Sequence, residues 1–279
     1  MKRRIKLIIH YLGKEYCGWQ IQPNGLAIQQ VLQESLAKIL QEKIIIIASG
    51  RTDSGVHALG QVAHFDTHNK MPIKLIRRAL NSQLPEDIAI LEAEEVSQDF
   101  HALKSAKQKT YMYLIFNSRE PFPLLSPFTW RRFGNLDDDT MMDCLEHIIG
   151  EHDFASFCAA DSQAKSSIRK IDEAQLHKIP LHEFGNSLIG NLGLSQFISA
   201  LGPTDSFHPD EDAPSLYVIT IKGRGFLKHM IRNIIGTLVD VGLNKINEQD
   251  FLDIFAAKDR RKAGITAPGH GLFLVKVEY

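Results

Sequence analysis

The chain has 279 residues, 44% hydrophobic and 23% charged, with a net charge of −1. This is the composition of an ordinary globular protein with room for one large domain or two moderate ones. It excludes recognition of a polyanion by bulk charge, so any contact with nucleic acid has to come from local basic clusters. Cys17, Cys144 and Cys158 are odd in number and form no Cys-x-x-Cys pair, which argues against a disulfide framework or a zinc site and fits a reducing compartment. The N-terminus has no apolar signal core, and no apolar run approaches membrane-spanning length, so a cytoplasmic protein without a membrane partner is expected.

Ile5 to Tyr11 reads as a first strand, followed by a glycine- and aromatic-rich loop from Gly13 to Pro23. Ala27 to Leu40 carries Ile28, Val31, Leu32, Leu36, Ile39 and Leu40, a one-sided apolar stripe at helical spacing. The β-branched run Ile44 to Ile47 predicts a buried strand that ends at Gly50-Arg51-Thr52-Asp53-Ser54-Gly55-Val56-His57-Ala58. Polar residues bracketed by two glycines at a strand end imply a rigidly held loop, where active groups are often placed. A turn-capping Asp paired with Arg51 is the plainer alternative for the same residues. Gln61 to Asp66 returns as a strand. His64 and His68 lack a third ligand at suitable spacing and read as strand-surface histidines.

Pro72 to Leu84 predicts a helix and Ile88 to Val96 a strand. The order β-α-β-β-α-β is the split βαβ arrangement of ferredoxin-like domains. A strand from Lys109 to Phe116 places Tyr111 and Tyr113 on one face, where core packing is the plain role. Pro121 to Pro127 reads as a surface connection. A helix is expected over Leu136 to Ile149, its aspartates favourable at the N-terminus. Strands follow at Ile168 to Ile179 and Leu216 to Lys222, with the uninformative stretch Leu181 to Pro214 between them. Gly225 to Gly242 is apolar nearly all round and predicts a buried helix with Lys228 and Arg232 on one face. A guanidinium inside such a helix needs a carboxylate, and Asp53 is the candidate. A short helix at Asn247 to Ala257 and a strand at Leu272 to Val277 complete a second β-α-β-β-α-β set. The expected fold is α+β: two ferredoxin-like halves, residues 1–104 and 105–279, forming a mixed sheet around a central cleft.

Gly-Arg-Thr-Asp-x-Gly-Val-His-Ala resembles the signature of the TruA family of tRNA pseudouridine synthases. Other segments resemble the same family: Gly18-Trp19-Gln20, Phe100-His101-Ala102, Tyr111-x-Tyr113, Arg169-x-Ile171, Phe226-Leu227-x-x-Met230-Ile231-Arg232-Asn233-Ile234-x-Gly236, and Gly264 to Leu272. Leu12, Lys14 and Leu103 stand where the family usually has Asp, Thr and Arg. The resemblance implies a cofactor-free isomerisation of uridine to pseudouridine in the tRNA anticodon stem-loop, at positions 38, 39 and 40. It implies Asp53 as the catalytic residue, Arg232 as its partner, Arg51 and Tyr111 against the target base, and Leu272 at the pocket wall. It also implies a homodimer with tRNA as partner. A binding protein of the same fold that has lost catalysis is the rival reading, and a carboxylate-dependent hydrolase a second. The basic clusters available for RNA are Lys2-Arg3-Arg4, Arg77-Arg78, Lys104 with Lys107 and Lys109, Arg131-Arg132 and Arg260-Arg261-Lys262.

Overall fold

Alternation along Arg3–Tyr11 builds β1, which buries Ile5, Leu7, Ile9 and Tyr11. The structure is a computed structural model that describes residues 2–181 and 214–279, so almost all of the stretch from Leu181 to Pro214 lies outside the described residues. The chain separates into two units. One comprises Met1–Met112, Lys222–Gly225 and Pro268–Tyr279, the other Tyr113–Ile221 and Phe226–Ala267. Ten strands and five α-helices among the described residues give the α+β class.

In the first unit, β1 pairs antiparallel with both β3 (His57–Thr67) and β4 (Ile88–Val96). The far edge of β3 is divided between two strands. Its end at Ala63 and His64 takes β2 (Ile47–Ala48) antiparallel, and its start at His57 and Ala58 takes β10 (Leu272–Glu278) parallel. Helix α1 (Ile28–Leu40) buries Ile28, Leu32, Leu36 and Leu40, and α2 (Ile73–Gln83) buries Ile76 and Leu80. Asn81 fixes α2 to β4, because its carboxamide both donates to and accepts from the Ile90 backbone, at 2.9 and 2.7 Å.

The predicted strand Ile44–Ile47 is only two residues long as β2. Ile44 and Ile46 are buried, but Ile45 and Ile47 are exposed, so the run is half-buried rather than enclosed. The reason lies in α1. Gln33 accepts the Ile46 N–H at 3.1 Å and Gln29 donates to its carbonyl at 3.0 Å. Side chains of a helix thus take the backbone groups a strand partner would use.

The second unit holds the later part of β5 (Gln108–Asn117), β6 (Trp130–Arg132) parallel to it, and β7 (Gly150–Asp153) antiparallel to β8 (Ile168–Pro180). The first residues of β9 (Ser215–Gly223) also belong to it. Helix α3 (Asp138–Glu146) starts at Asp137, whose carboxylate accepts the Thr140 N–H. A capping box at Asn247 and Asp250 starts α5 (Glu248–Ala257). Phe154, Phe157, Phe251 and Phe255 form its aromatic cluster.

The long helix predicted from Gly225 is shorter: α4 runs Met230–Gly242. His229 has φ +61°, a left-handed conformation that cannot continue a helix, so residues 225–229 lie outside it. Lys228 therefore shares no helix face with Arg232, and instead pairs with Asp161 at 2.5 Å. His64 is a second correction. It is buried, not on the strand surface, and its Nδ1 accepts the Ala102 N–H at 3.2 Å. Burial, helped by the nearby charges of Arg4 and His101, lowers its pKa to about 4. His68 is exposed just beyond the strand end.

Candidate active site

The loop from Gly50 to Val56 joins β2 to β3, and neighbours from three parts of the first unit hold it. Trp19 donates its backbone N–H to the Thr52 carbonyl at 3.0 Å. The Thr52 hydroxyl bonds the buried Tyr11 hydroxyl at 2.8 Å. Ser54 donates to the Tyr16 carbonyl at 3.2 Å, and a turn closes from Val56 N–H to Asp53 C=O at 3.2 Å. Two glycines press backbone directly onto the loop. A Cβ on Gly18, whose φ is +107°, would stand 2.5 Å from the Thr52 carbonyl oxygen, and one on Gly269 would stand 2.3 Å from that of Ser54. The loop beside Trp19 and the terminal motif thus approach more closely than any side chain permits.

His57, the first residue of β3, locks the loop's far end. It is buried, and its Nδ1 accepts the Gly13 N–H at 3.1 Å. That fixes the tautomer, so Nε2 carries the proton and donates to the His270 carbonyl at 3.1 Å. Its ring stacks on Phe273 with centroids 4.8 Å apart. At the near end, Gln61 donates to the Gly50 carbonyl at 3.0 Å and accepts the Ser49 hydroxyl at 2.7 Å. Lys109 donates to the Ser49 carbonyl at 2.7 Å.

Of the residues expected in a site, the first unit brings Asp53, Arg51, Tyr111 and Leu272 into one region. Asp53 is half-exposed on the held loop. Tyr111 is buried, and burial first, then the charges of Tyr11 and Asp53, raise its pKa. The carboxylate of Asp53 is therefore near enough to act electrostatically on the Tyr111 hydroxyl. Leu272 is buried at the start of β10, directly after the Gly269–Gly271 turn that touches the loop. Arg51 is exposed and has no hydrogen-bond or ion-pair partner among the described residues, which removes the reading in which it pairs with Asp53. Arg232 belongs to the second unit, where it is half-exposed, donates from Nε to the Ala267 carbonyl at 2.7 Å, and acts electrostatically on Tyr113. Its neighbour Asn233 is a buried hub. It donates to the Phe157 carbonyl at 2.8 Å and accepts from Arg260 at 3.0 Å and Thr266 at 2.7 Å.

Sequence reasoning gave no part in holding the loop to Tyr11, Thr52, His57, Gln61 or Lys109, and it counted Lys109 in a basic cluster open to RNA, whereas Lys109 is buried with its ammonium on the Ser49 carbonyl. Lys109 carried a signal: it shares the alternating buried face of β5 with Tyr111 and Tyr113, an unusual place for an ammonium group. The basic clusters are also reduced by pairing. Arg4 makes two bonds to Asp66 at 2.8 and 2.9 Å, Arg3 pairs with Glu95, and Lys2 also reaches Asp66. Arg260 is surrounded by the carbonyls of Ala263 and Gly264 and by Asn233 and Thr266, while Arg261 lies on Asp259. Arg77, Arg78, Lys104 and Lys107 remain exposed in the first unit, Arg131 and Lys262 in the second. His152 and Asp153 serve local structure, bonding the Ile149 carbonyl and Lys258 respectively. Among the described residues, no group of three potential metal ligands converges, and no helix is long and apolar enough to cross a membrane.

Comparison with known proteins gives the same direction. The family profile described as tRNA pseudouridine synthase matches residues 7–103 and 145–279. The tRNA pseudouridine synthase A of Geotalea daltonii is 41% identical over 277 residues, covering 99% of this chain and all of that protein. That of Caldicellulosiruptor bescii is 42% identical, and that of Thermoanaerobacter sp. strain X514 38% identical, each over the same span and with the same coverage. A profile covering both the loop of Asp53 and the helix of Arg232, with relatives matched end to end, places this chain in the tRNA pseudouridine synthase family.

Proposed function

We propose that this enzyme isomerises uridine to pseudouridine in the anticodon stem-loop of tRNA, at positions 38, 39 and 40, with Asp53 as the catalytic carboxylate. The observation that carries the assignment is the placement of Asp53. Its loop is fixed at both ends by buried hydrogen bonds and by glycine contacts, while the residue itself stays half-exposed. A carboxylate held that rigidly, yet reachable, is preorganised for attack or proton transfer.

The chemistry is an internal rearrangement. The bond from C1′ to N1 breaks, the uracil turns, and a bond from C1′ to C5 forms. C5 loses its hydrogen as a proton and N1 gains one, so the product is an isomer and the net reaction needs no oxidant. The target base is stacked in tRNA and has to be flipped out, at a cost of a few kcal/mol. Arg51, exposed and unpaired among the described residues, is suited to take the place the base leaves. Tyr111, with an apolar ring held among buried groups, is suited to stack on the flipped uracil, and Leu272 to wall the pocket. For Arg232 the support is the resemblance of its helix motif, which assigns it to keeping Asp53 ionised, since a cation lowers a carboxyl pKa. The same resemblance supports a cytoplasmic homodimer with one tRNA across both copies.

The test is tritium release from tRNA labelled at uracil C5. Wild type should release tritium, while Asp53→Asn, nearly isosteric, should fold, bind tRNA and release none. Release by the variant at the wild-type rate removes Asp53 from the mechanism. Silence of the wild type itself favours the rival binding protein.

A further inference from the structure

Lys109 is more than nine-tenths buried, with its ammonium 2.7 Å from the Ser49 carbonyl oxygen. That carbonyl is its one hydrogen-bond partner among the described residues, and no carboxylate accompanies it. Burial pulls its pKa down to about 8. A buried ammonium with a single neutral partner is an energetic liability. Such a group costs stability where it stands, so its place is to be explained by a role other than stability.

Gly50 points to that role. Its φ lies outside the left-handed range, so its backbone accepts any residue. Yet a Cβ there would stand 2.9 Å from Lys109 Nζ, with the Lys109 Cε next at 3.8 Å. The atom a side chain at position 50 would meet is the end of the lysine, so such a side chain pushes the ammonium off the Ser49 carbonyl rather than straining its own backbone. The carbonyls of Ser49 and Gly50 are both held, one by Lys109 and the other by Gln61, and Gln61 also accepts the Ser49 hydroxyl. The next residues along the chain are Arg51, Thr52 and Asp53.

We propose that Lys109 is a positioning residue of the reaction: its ammonium occupies the space left open by Gly50, holds the Ser49 carbonyl, and so fixes the backbone that presents Arg51 and Asp53. This rests on the assignment of Asp53 as the catalytic carboxylate. The lysine acts through the loop and touches no reacting atom. Loosening the loop lowers the rate of the bound complex, not the affinity for tRNA, because misplacing a reacting group by about an ångström costs on the order of 100-fold.

The experiment measures single-turnover tritium release, tRNA affinity and melting temperature in parallel. Lys109→Met keeps the side-chain volume and removes the charge. It should lower the release rate on the order of 10- to 100-fold at temperatures well below melting and leave affinity unchanged, while melting reflects the loss of the buried charge and of its bond to Ser49 together. A merely structural lysine predicts a wild-type rate below the melting transition, and that result overturns the proposal. The Gly50–Lys109 link is read from a double-mutant cycle. Gly50→Ala should slow wild type but add nothing to Lys109→Ala, where no atom stands in its way. Independent, multiplying effects overturn the link. Asp53→Asn runs alongside as a control. Tritium release by Asp53→Asn refutes the reading beneath the proposal. A silent Asp53→Asn with Lys109→Met at full rate refutes only the role of the lysine.

Discussion

Gly18→Ala is the substitution that tests whether the loop of Asp53 is held by backbone contact. Two costs add. A residue with a side chain held at φ +107° sits in sparsely populated backbone space, costing roughly 1–3 kcal/mol. The new Cβ also arrives 2.5 Å from the Thr52 carbonyl oxygen and 3.0 Å from the Asp53 carbonyl carbon. Both are backbone atoms, so no side-chain rotation relieves the clash. The two loops have to separate, which stretches the 3.0 Å bond from Trp19 N–H to the Thr52 carbonyl, worth about 0.5–1.5 kcal/mol net. The sum is roughly 1.5–4.5 kcal/mol, or a melting temperature lower by about 3–18 °C. Activity should suffer more than stability alone explains, because Thr52 and Asp53 are what move. A loss on the order of 100-fold in single-turnover tritium release, measured well below the melting point, is expected. Wild-type melting together with wild-type release by Gly18→Ala would show that the loop is not held this way.

Three further outcomes are expected. Arg232→Ala should lower turnover strongly and Arg232→Lys should recover it only in part, since an ammonium lacks the planar fork and the separate Nε donor that reaches Ala267; full turnover in Arg232→Ala would remove this arginine from the reaction. His64 is held neutral to about pH 4, while in the unfolded chain it takes up a proton near 6.5, so its contribution is intact above pH 6.5 and lost as pH falls toward 4. His64→Gln should therefore flatten the melting-temperature profile over that range, and an unchanged slope would show that another group sets it. Binding of tRNA should weaken steeply with salt, and replacing Arg77 and Arg78, both exposed on α2, should reduce the slope of log affinity against log salt by about 1 for each phosphate no longer neutralised. Equal slopes would place the RNA elsewhere.

Much of the fold was legible because its signals are local. Period-two burial marked β1 and β5, helical stripes marked α1 and α2, and the aspartates before α3 marked its start. The sequence also marked the loop of Asp53, since glycine-bracketed polar residues at a strand end form a contiguous pattern. Where reading failed, a distant partner had intervened. Ile44–Ile47 looks like a buried strand until Gln29 and Gln33 of α1 take the Ile46 backbone. Gly225 to His229 looks helical until His229 adopts a left-handed conformation.

The sequence by itself marked most of the strands and helices, though not β6 and β7, and the glycine-bracketed motif with Asp53 at its centre. Tertiary structure alone decided which charged and polar groups are already spoken for. Arg4 meets Asp66, 62 residues on; Lys109 meets Ser49, 60 residues back; His57 meets His270, 213 residues away. The physical reason is one of range. Backbone preference and apolar periodicity act over a turn or a strand and are written in neighbouring residues. A hydrogen bond or ion pair needs about 3 Å in space and no fixed distance along the chain, so whether Arg4 faces solvent or Asp66 depends on β1 pairing with β3 in one register.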